Sequence, residues 1–245
     1  MGLFDKKYCD ICGEKIGMLG NRKLDDGNCC KKCANRLSPW FTERKKSTVE
    51  QIKQQLDYRE ENRAAAVAFN TTKSYGTGTR LLVDEDAKKF CITSASDLAS
   101  DNPDILDYSM VTGCDYDVSE SKSEKMTEDS QGNEVSYRPP RYEAYYSFYI
   151  IVHVNHPYFD EMRFQVNSSS VRIEGMTIIP ASSPEYRKYE EMTREIKEAV
   201  DAMRQYARQE KASASAPGKT VKCPHCGAMT VPENGCCEYC GGPVE

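Results

Sequence analysis

The sequence is poor in several features that mark large functional classes. Its 245 residues include one Trp and three His, and the mean hydropathy is −0.69. No run approaches the roughly 18 consecutive apolar residues of a transmembrane helix, and the first residues lack the apolar run of a signal peptide. So few histidines leave little for acid–base catalysis near neutral pH. We therefore expect a cytoplasmic protein without a membrane span, and not an enzyme.

The short motifs of phosphate binding and nucleophilic catalysis are also missing from the sequence. The glycine-containing segment 76–79 has neither the Lys nor the strand-to-helix context of a phosphate cradle. His153 lies in a strand pattern and His156 precedes a proline, so both are expected on the surface or in the core. His225 lies inside a cysteine pair and is expected to be a spectator.

Two polar clusters remain as candidates for binding. Asp101, Asp104 and Asp107 lack the spacing of a calcium loop, so we predict a solvated acidic loop there. Four tyrosines lie close together on a predicted strand: Tyr142, Tyr145, Tyr146 and Tyr149. They could stack on single-stranded nucleic acid, but phosphate binding needs cationic grooves and this segment is acidic. Packing in the core is the expected role of these rings.

Cysteine, by contrast, is abundant. Twelve cysteines are far more than a cytosolic protein is expected to contain by chance. In a reducing compartment such a count indicates metal ligands before disulfides. Ten of the twelve lie within residues 9–33 and 223–240. The sequence therefore predicts metal sites near both ends of the chain.

Each of these two segments contains two C-x-x-C pairs, separated by 17 residues in the first and by 10 in the second. Two intervening residues let one tight turn aim both sulfurs at a common point. Two such turns facing each other form a tetrahedral four-thiolate site that favours Zn²⁺. The predicted ligands of two structural zinc ions per chain are Cys9, Cys12, Cys30, Cys33, Cys223, Cys226, Cys237 and Cys240.

Other interpretations of the cysteine pairs stay open. They could be free thiols, or a redox C-x-x-C, although that motif begins a helix in a βαβ unit and no such unit is visible. Iron in a rubredoxin-like site would use the same four thiolates. A closed set of four thiolates leaves no open position for activating water, so the expected role of both sites is structural.

Two cysteine doublets, Cys29-Cys30 and Cys236-Cys237, raise a question of register. The two-residue spacing selects the second member of each doublet, because a three-residue gap would require a wider turn and misalign the supporting N–H groups. We therefore expect Cys29 and Cys236 to be dispensable for metal binding.

Charge is distributed unevenly. Residues 1–46 carry 11 Lys and Arg against 6 Asp and Glu, residues 70–182 carry 10 against 18, and the whole chain has a net charge of −5. Six basic residues near the second N-terminal cysteine pair could contact nucleic acid: Lys31, Lys32, Arg36, Arg44, Lys45 and Lys46. Lysines near a thiolate-rich site commonly offset its charge, so weak and salt-sensitive binding is the most we expect.

The intervening segments alternate between helical and strand patterns. Ser47 to Glu50 resembles a capping box and predicts a helix over 47–69. Two β-hairpins are predicted, around the acidic turn 84–87 and around residues 129–133. Tyr145 to Val154 shows the strongest two-residue alternation, with both faces half-buried, and shorter strands follow it.

Ser183 and Pro184 predict the start of a long amphipathic helix that reaches about residue 210. Its apolar stripe needs a partner, which is either the sheet or a second copy of the chain. Residues 211–220 are small and polar and predict a flexible linker.

The opening segment from Met1 to Cys33 resembles a known domain. Gly2-Leu3-Phe4 precedes the first cysteine pair, and Gly27-Asn28 stands before the second. In both features it is similar to the N-terminal zinc ribbon of a bacterial family of unknown function found in Firmicutes. The resemblance implies a middle domain similar to a pleckstrin-homology or GRAM-like β-sandwich, and it implies no activity. Cys29 departs from the pattern, since the relatives have an aliphatic residue there.

We therefore predict an α+β chain. The expected order is a zinc ribbon (1–46), a connecting helix (47–69), an antiparallel β-sandwich closed by the amphipathic helix (70–210), a linker (211–220) and a second zinc ribbon (221–245). The expected function is a non-catalytic adaptor or scaffold that binds an unidentified protein. The alternatives are nucleic-acid binding through the basic N-terminal ribbon and membrane-surface sensing through the pleckstrin-like domain, which its negative charge disfavours.

Overall fold

The computed structural model describes residues 7–214, 220–231 and 235–244. The chain divides into two compact units, Met1–Arg204 and Gln205–Glu245. Helices occur together with antiparallel sheets, which confirms the mixed α+β class. Residues 215–219 of the predicted linker (211–220) lie outside the described residues.

The N-terminal part of the first unit is built from short elements and one long helix. A two-stranded hairpin pairs Asn21 with Cys30 and Lys23 with Asn28. Its elements are β1 (Asn21–Lys23), β2 (Asn28–Cys30), α1 (Lys31–Ala34), a 3₁₀ turn (Glu43–Lys46) and α2 (Val49–Ala68).

Helix α2 begins one residue later than the sequence predicted. Thr48, not Ser47, is the N-cap: its hydroxyl accepts from the N–H of Gln51, and the Gln51 side chain accepts from the N–H of Thr48. Ser47 instead ends the preceding 3₁₀ turn and donates its hydroxyl to the carbonyl of Glu43, 2.9 Å away. The predicted capping box is present, but it is shifted by one residue because Ser47 belongs to the preceding turn.

A four-stranded antiparallel sheet follows α2, in the order β3–β4–β5–β6. Its strands are Lys73–Tyr75, Arg80–Asp84, Lys89–Thr93 and Leu106–Asp107, and the short helix α3 (Leu98–Asp101) lies between the last two. The β4–β5 hairpin is the one predicted around the acidic turn. Ala66 of α2 packs with Leu82, Cys91 and Ile105, so the end of the helix rests on this sheet.

The second sheet is centred on one long strand. β7 (Val111–Glu128) pairs along β8 (Glu134–Val154), and β9 (Glu161–Gln165) and β10 (Val171–Gly175) share the opposite edge of β8. This confirms the hairpin predicted around 129–133. The alternation correctly separates the two faces of β8, but the prediction that both are half-buried is wrong, because one face is fully buried: Tyr146, Phe148, Ile150, Val152 and Val154.

The other three tyrosines of the predicted core cluster lie outside the core. Tyr142, Tyr145 and Tyr149 have the cations of Lys122, Arg172 and Arg163 over their rings. The two-residue alternation of β8 separates Tyr145 and Tyr149 from buried Tyr146.

The long helix α4 (Pro184–Ala214) is capped as predicted, because the N–H of Tyr186 donates to the hydroxyl of Ser183 at 3.3 Å. The ring of Tyr186 lies 5.0 Å from that of Phe148, which places the first turns of the helix on β8. The helix runs four residues into the segment predicted as linker, where Lys211 and alanine favour helix.

A buried polar network ties α2 to the segment before β6. Arg59 and Asp104 form an ion pair at 2.8 Å, with their side chains only 9% and 0% exposed. Ser38 donates to the same carboxylate at 2.8 Å, and Asn62 donates to the carbonyl of Pro103 at 2.7 Å. The prediction of a solvated acidic loop is therefore wrong for Asp104. Its partners lie 45 and 66 residues away, where local sequence patterns give no signal.

Among the described residues, every helix is too short or too polar to cross a bilayer. Both four-stranded sheets are antiparallel throughout. That they form one sandwich stays a prediction.

Candidate metal centres

The first centre begins with a tight turn at Cys9–Gly13. The N–H of Gly13 donates to the carbonyl of Cys9 at 2.8 Å, and Gly13 has a φ of +74°, a conformation that side-chain-bearing residues rarely adopt. Cys12 is exposed while Cys9 is buried. This is the knuckle that the C-x-x-C-G spacing predicted.

The second N-terminal pair is held differently from the prediction of a second knuckle. Cys30 ends β2 and is the N-cap of α1, and its sulfur accepts from the N–H of Cys33 at 3.4 Å. Cys33 is thus placed by the first turn of a helix. The first centre therefore combines a knuckle, a hairpin and a helix start.

The C-terminal centre consists of two matching knuckles. Gly227 and Gly241 follow their cysteine pairs with φ of +76° and +70°. Their N–H groups donate to the carbonyls of Cys223 and Cys237 at 2.9 and 2.8 Å. The strands β11 (Val221–Lys222) and β12 (Met229–Thr230) join the flanks of the first knuckle. The second centre is therefore a cluster of four cysteines on two knuckles, and the zinc ribbon itself stays a prediction.

The sulfur atoms of each centre are close enough to bind one ion. Within each group of four, all sulfurs lie within 4.8 Å of one another, and the groups contain the eight cysteines predicted from the spacing. In a tetrahedron with metal–sulfur bonds of about 2.3 Å, sulfurs are about 3.8 Å apart. The observed separations include 3.8 Å for Cys12 and Cys30, 3.6 Å for Cys223 and Cys240, and 3.8 Å for Cys226 and Cys237. The two tetra-cysteine clusters therefore fit two metal sites.

Backbone N–H groups favour the thiolate form of Cys9 in the first centre and of Cys237 in the second. Burial raises the pKa of Cys9, but N–H groups of Cys12, Cys30 and Ile11 outweigh burial and lower this pKa to about 6. For Cys237 burial is likewise outweighed by the N–H groups of Tyr239 and Cys240, which lower its pKa to about 6. Each centre thus contains a thiol that ionises readily, and a thiolate is the form that binds metal.

The extra cysteine of each doublet lies outside the sulfur cluster. Cys29 is fully buried, its sulfur donates to the carbonyl of Cys30 at 3.4 Å, and burial raises its pKa to about 12. Cys236 is exposed and pairs through its backbone with Pro243. The alternation of the strand explains Cys29, since neighbouring residues on β2 point to opposite faces.

Helix α2 supports the first centre directly. Ile52 and Leu56 belong to the same buried cluster as Cys9, Cys30 and Cys33. The first turn of the helix is also fixed to the hairpin, because the N–H of Val49 donates to the carboxylate of Asp26 at 2.7 Å. The first centre is therefore built into the core of the first unit.

Gly27, at the hairpin turn, lies close to both the knuckle and α2. A Cβ atom at this position would lie 2.6 Å from Val49 and 2.8 Å from the carboxylate of Asp10. Only glycine lets the two elements approach this closely.

The six basic residues considered for nucleic-acid binding are only partly free of acidic partners. Lys32 pairs with Glu14 at 3.1 Å, Arg36 with Glu60 at 3.9 Å, and Lys46 with Glu43 at 2.9 Å. Arg44 donates to the carbonyl of Lys23 at 2.8 Å. Lys31 and Lys45 are exposed. The pairing reduces the positive potential of this surface.

The three histidines lie in three different settings: one in the core, one on the surface of a sheet and one beside the second sulfur cluster. His156 is buried and stacks on Phe159 with ring centroids 4.0 Å apart, and burial lowers its pKa to about 4. His153 pairs with Asp115 at 3.0 Å on the surface of the sheet. His225 donates its N–H to the sulfur of Cys223 at 3.4 Å, so its backbone supports the cluster.

Residues 7–55 match a known family, described as "Domain of unknown function (DUF4428)". The match contains the whole first centre and the start of α2, and it covers a minor part of the chain. No curated protein matches the chain significantly, and no solved structure does so either.

Proposed function

We propose that this chain is a non-catalytic zinc protein that acts as an adaptor or scaffold for other proteins. The observation behind the proposal is the pair of four-sulfur clusters, whose separations fit a tetrahedral ion. Four thiolate ligands favour Zn²⁺ over metals that prefer oxygen, and the eight clustered cysteines would serve as its ligands. Zinc bound in this way holds small modules together, because it supplies the folding energy that their small cores lack.

The chemistry of the clusters supports a structural role for the metal. Four thiolates fill a tetrahedral ion, which leaves no position where a water or substrate could bind. His156, with its pKa lowered to about 4, is neutral near pH 7 and is buried among aromatic rings. His156 therefore has a packing role in the core.

The remaining parts of the proposal concern the middle of the chain and its setting. Two antiparallel sheets and a helix packed on β8 are compatible with the pleckstrin-homology or GRAM-like domain that the sequence resemblance implies. A bacterial cytoplasm, which keeps thiols reduced, suits two sites of four free thiolates.

Affinity capture from native cytoplasm tests the adaptor role. The full chain is compared with Cys237→Ser, which removes one sulfur of the second cluster, and with Cys236→Ser as the matched control. We expect a protein partner that withstands nuclease treatment, is captured by the wild type and by Cys236→Ser, and is lost with Cys237→Ser or with the equivalent Cys30→Ser. The proposal would be contradicted if capture were lost on nuclease treatment. It would also be contradicted if Cys237→Ser and Cys30→Ser captured the partner as well as the wild type.

A further inference from the structure

A hydrogen-bonded turn in the first unit exposes two large apolar side chains. The N–H of Gly20 donates to the carbonyl of Gly17 at 2.9 Å, which closes a four-residue turn with Met18 and Leu19 at its corners. Their side chains are 96% and 89% exposed. Turn corners usually contain glycine, proline or short polar residues, so two adjacent apolar side chains here are unusual.

The turn is held in shape by its neighbours. The guanidinium of Arg22 donates to the carbonyl of Leu19 at 3.2 Å and to that of Asn21 at 3.3 Å. Ile16, just before the turn, is buried in the cluster that contains the metal-binding cysteines. The apolar tip therefore projects from a fixed base.

Basic and aromatic side chains surround this base. The N–H of Ile16 donates to the carbonyl of Lys7, and Tyr8 pairs with Lys15, so both lysines lie at the foot of the turn. Arg22 and Lys23 follow it on β1. Tyr8 is 54% exposed.

Two of the nearby carboxylates have partners of their own. Asp10 accepts from the N–H of Asn28 at 2.6 Å, and Glu14 pairs with Lys32. Backbone pairing and the chain itself thus place four basic residues, Lys7, Lys15, Arg22 and Lys23, at the base of the apolar tip, and we call these four the collar.

We propose that the Gly17–Gly20 turn docks the protein on anionic lipid bilayers, with Met18 and Leu19 inserted and the collar against the head groups. Apolar insertion combined with attraction to anionic lipid is the pair of signals that peripheral binding requires. Tyr8 has an apolar ring and a polar hydroxyl, which suits the boundary between the acyl chains and the head groups. This surface is distinct from the acidic middle of the chain and goes beyond the proposed adaptor function.

A protein partner suits the same tip less well. A stable protein interface buries about 800 Å² on each side around a core depleted of charged residues. Here two apolar side chains stand next to the basic collar, a combination that complements a lipid surface of negative charge.

Flotation with lipid vesicles tests the proposal on the full chain. Vesicles of phosphatidylcholine with added phosphatidylserine are compared with pure phosphatidylcholine. We expect the wild type to float with the anionic vesicles only, less so as salt is raised. The double variant Met18→Ser and Leu19→Ser should lower the partition coefficient about tenfold or more, because the inserted side chains are lost.

A matched control comes from Met176→Ser with Ile179→Ser, which removes two exposed apolar side chains elsewhere in the same unit. Its binding to vesicles should equal that of the wild type. Wild-type protein that stays unbound, or a Met18 and Leu19 variant that floats as well as the control, would overturn the proposal. So would capture of a protein partner that depends on this turn while vesicles are not bound.

Discussion

At the scale of single residues, the ligand set follows from one local rule. Two residues between cysteines define a turn, and a glycine at positive φ follows where that turn is a knuckle, as at Gly13 and Gly241. The register of the doublets followed from the same rule. Sequence alone did not show that Cys30 caps a helix, because the spacing C-x-x-C is shared by knuckles and helix starts.

Replacing cysteines one at a time tests the register. Cys30→Ser should reduce bound metal from two ions to one and unfold the first centre, since structural zinc supplies about 10–16 kcal/mol of apparent binding energy. Cys29→Ser, at a sulfur outside the cluster, should leave two ions bound. Metal analysis of both purified variants gives the answer, and the reverse pattern would show that the register is wrong.

The buried His156 predicts a pH dependence of stability. Burial lowers its pKa in the folded chain to about 4, below the ordinary histidine value of about 6.5. Below about pH 6.5 the unfolded chain therefore binds a proton at His156 that the folded chain does not bind. The stability that is present above pH 6.5 is lost as the pH falls. Between pH 7.5 and 5.5 this loss is about 1.4 kcal/mol.

Urea unfolding at those two values of pH, with metal retained, measures the effect. The wild type should lose about 1.4 kcal/mol more than His156→Gln, which cannot take up the proton. Equal losses in the two proteins would mean that His156 titrates normally.

At the scale of elements, locally encoded features were predictable and distant pairings were not. The alternation of β8 and the Ser183 cap of α4 are visible within a few residues. The burial of polar residues on α2 could not be predicted. Arg59 is buried because it pairs with a carboxylate that lies 45 residues later in the chain. A sequence-only analysis treats an arginine in a helix as exposed.

The Arg59–Asp104 pair is expected to contribute strongly to stability. Burial raises the pKa of Asp104, while Arg59 and the hydroxyl of Ser38 oppose that rise. Asp104→Ala leaves a buried guanidinium unpaired and should cost about 3–5 kcal/mol in the free energy of unfolding. Replacing both partners, with Arg59→Met and Asp104→Leu, should recover most of that loss.

An exposed pair serves as the control. Lys73 and Glu85 lie 2.8 Å apart but are half-exposed, so Lys73→Ala should cost less than about 1 kcal/mol. The denaturant midpoints of the wild type and of these variants measure the cost of each substitution. If Asp104→Ala cost no more than Lys73→Ala, the network would have no structural importance.

At the scale of the whole molecule, the two centres differ in what they hold together. The first shares its buried cluster with Ile52 and Leu56 of α2, whereas the buried residues around the second are its own Cys223, Cys237 and Val244. This asymmetry is invisible in the sequence, where the two cysteine patterns are alike. It arises because α2 directly follows the first centre and supplies its packing surface.

Loss of the first centre should therefore weaken the first unit, and loss of the second should not. Cys30→Ser should lower the melting temperature of the first unit by more than about 10 °C, because each kcal/mol lost shifts the transition by about 2–4 °C in a unit of this size and structural zinc supplies several kcal/mol or more. Cys237→Ser should leave that transition in place. Calorimetry of the two full-length variants compares them directly, and equal shifts would contradict the difference in packing.

The central claim is that both sulfur clusters bind zinc. Metal analysis of the native, anaerobically purified full chain tests it most directly, with protein quantified by amino-acid analysis. The account predicts two zinc ions per chain, one for each group of four cysteines. A stoichiometry of one or less in non-oxidised protein, or iron in place of zinc, would contradict it.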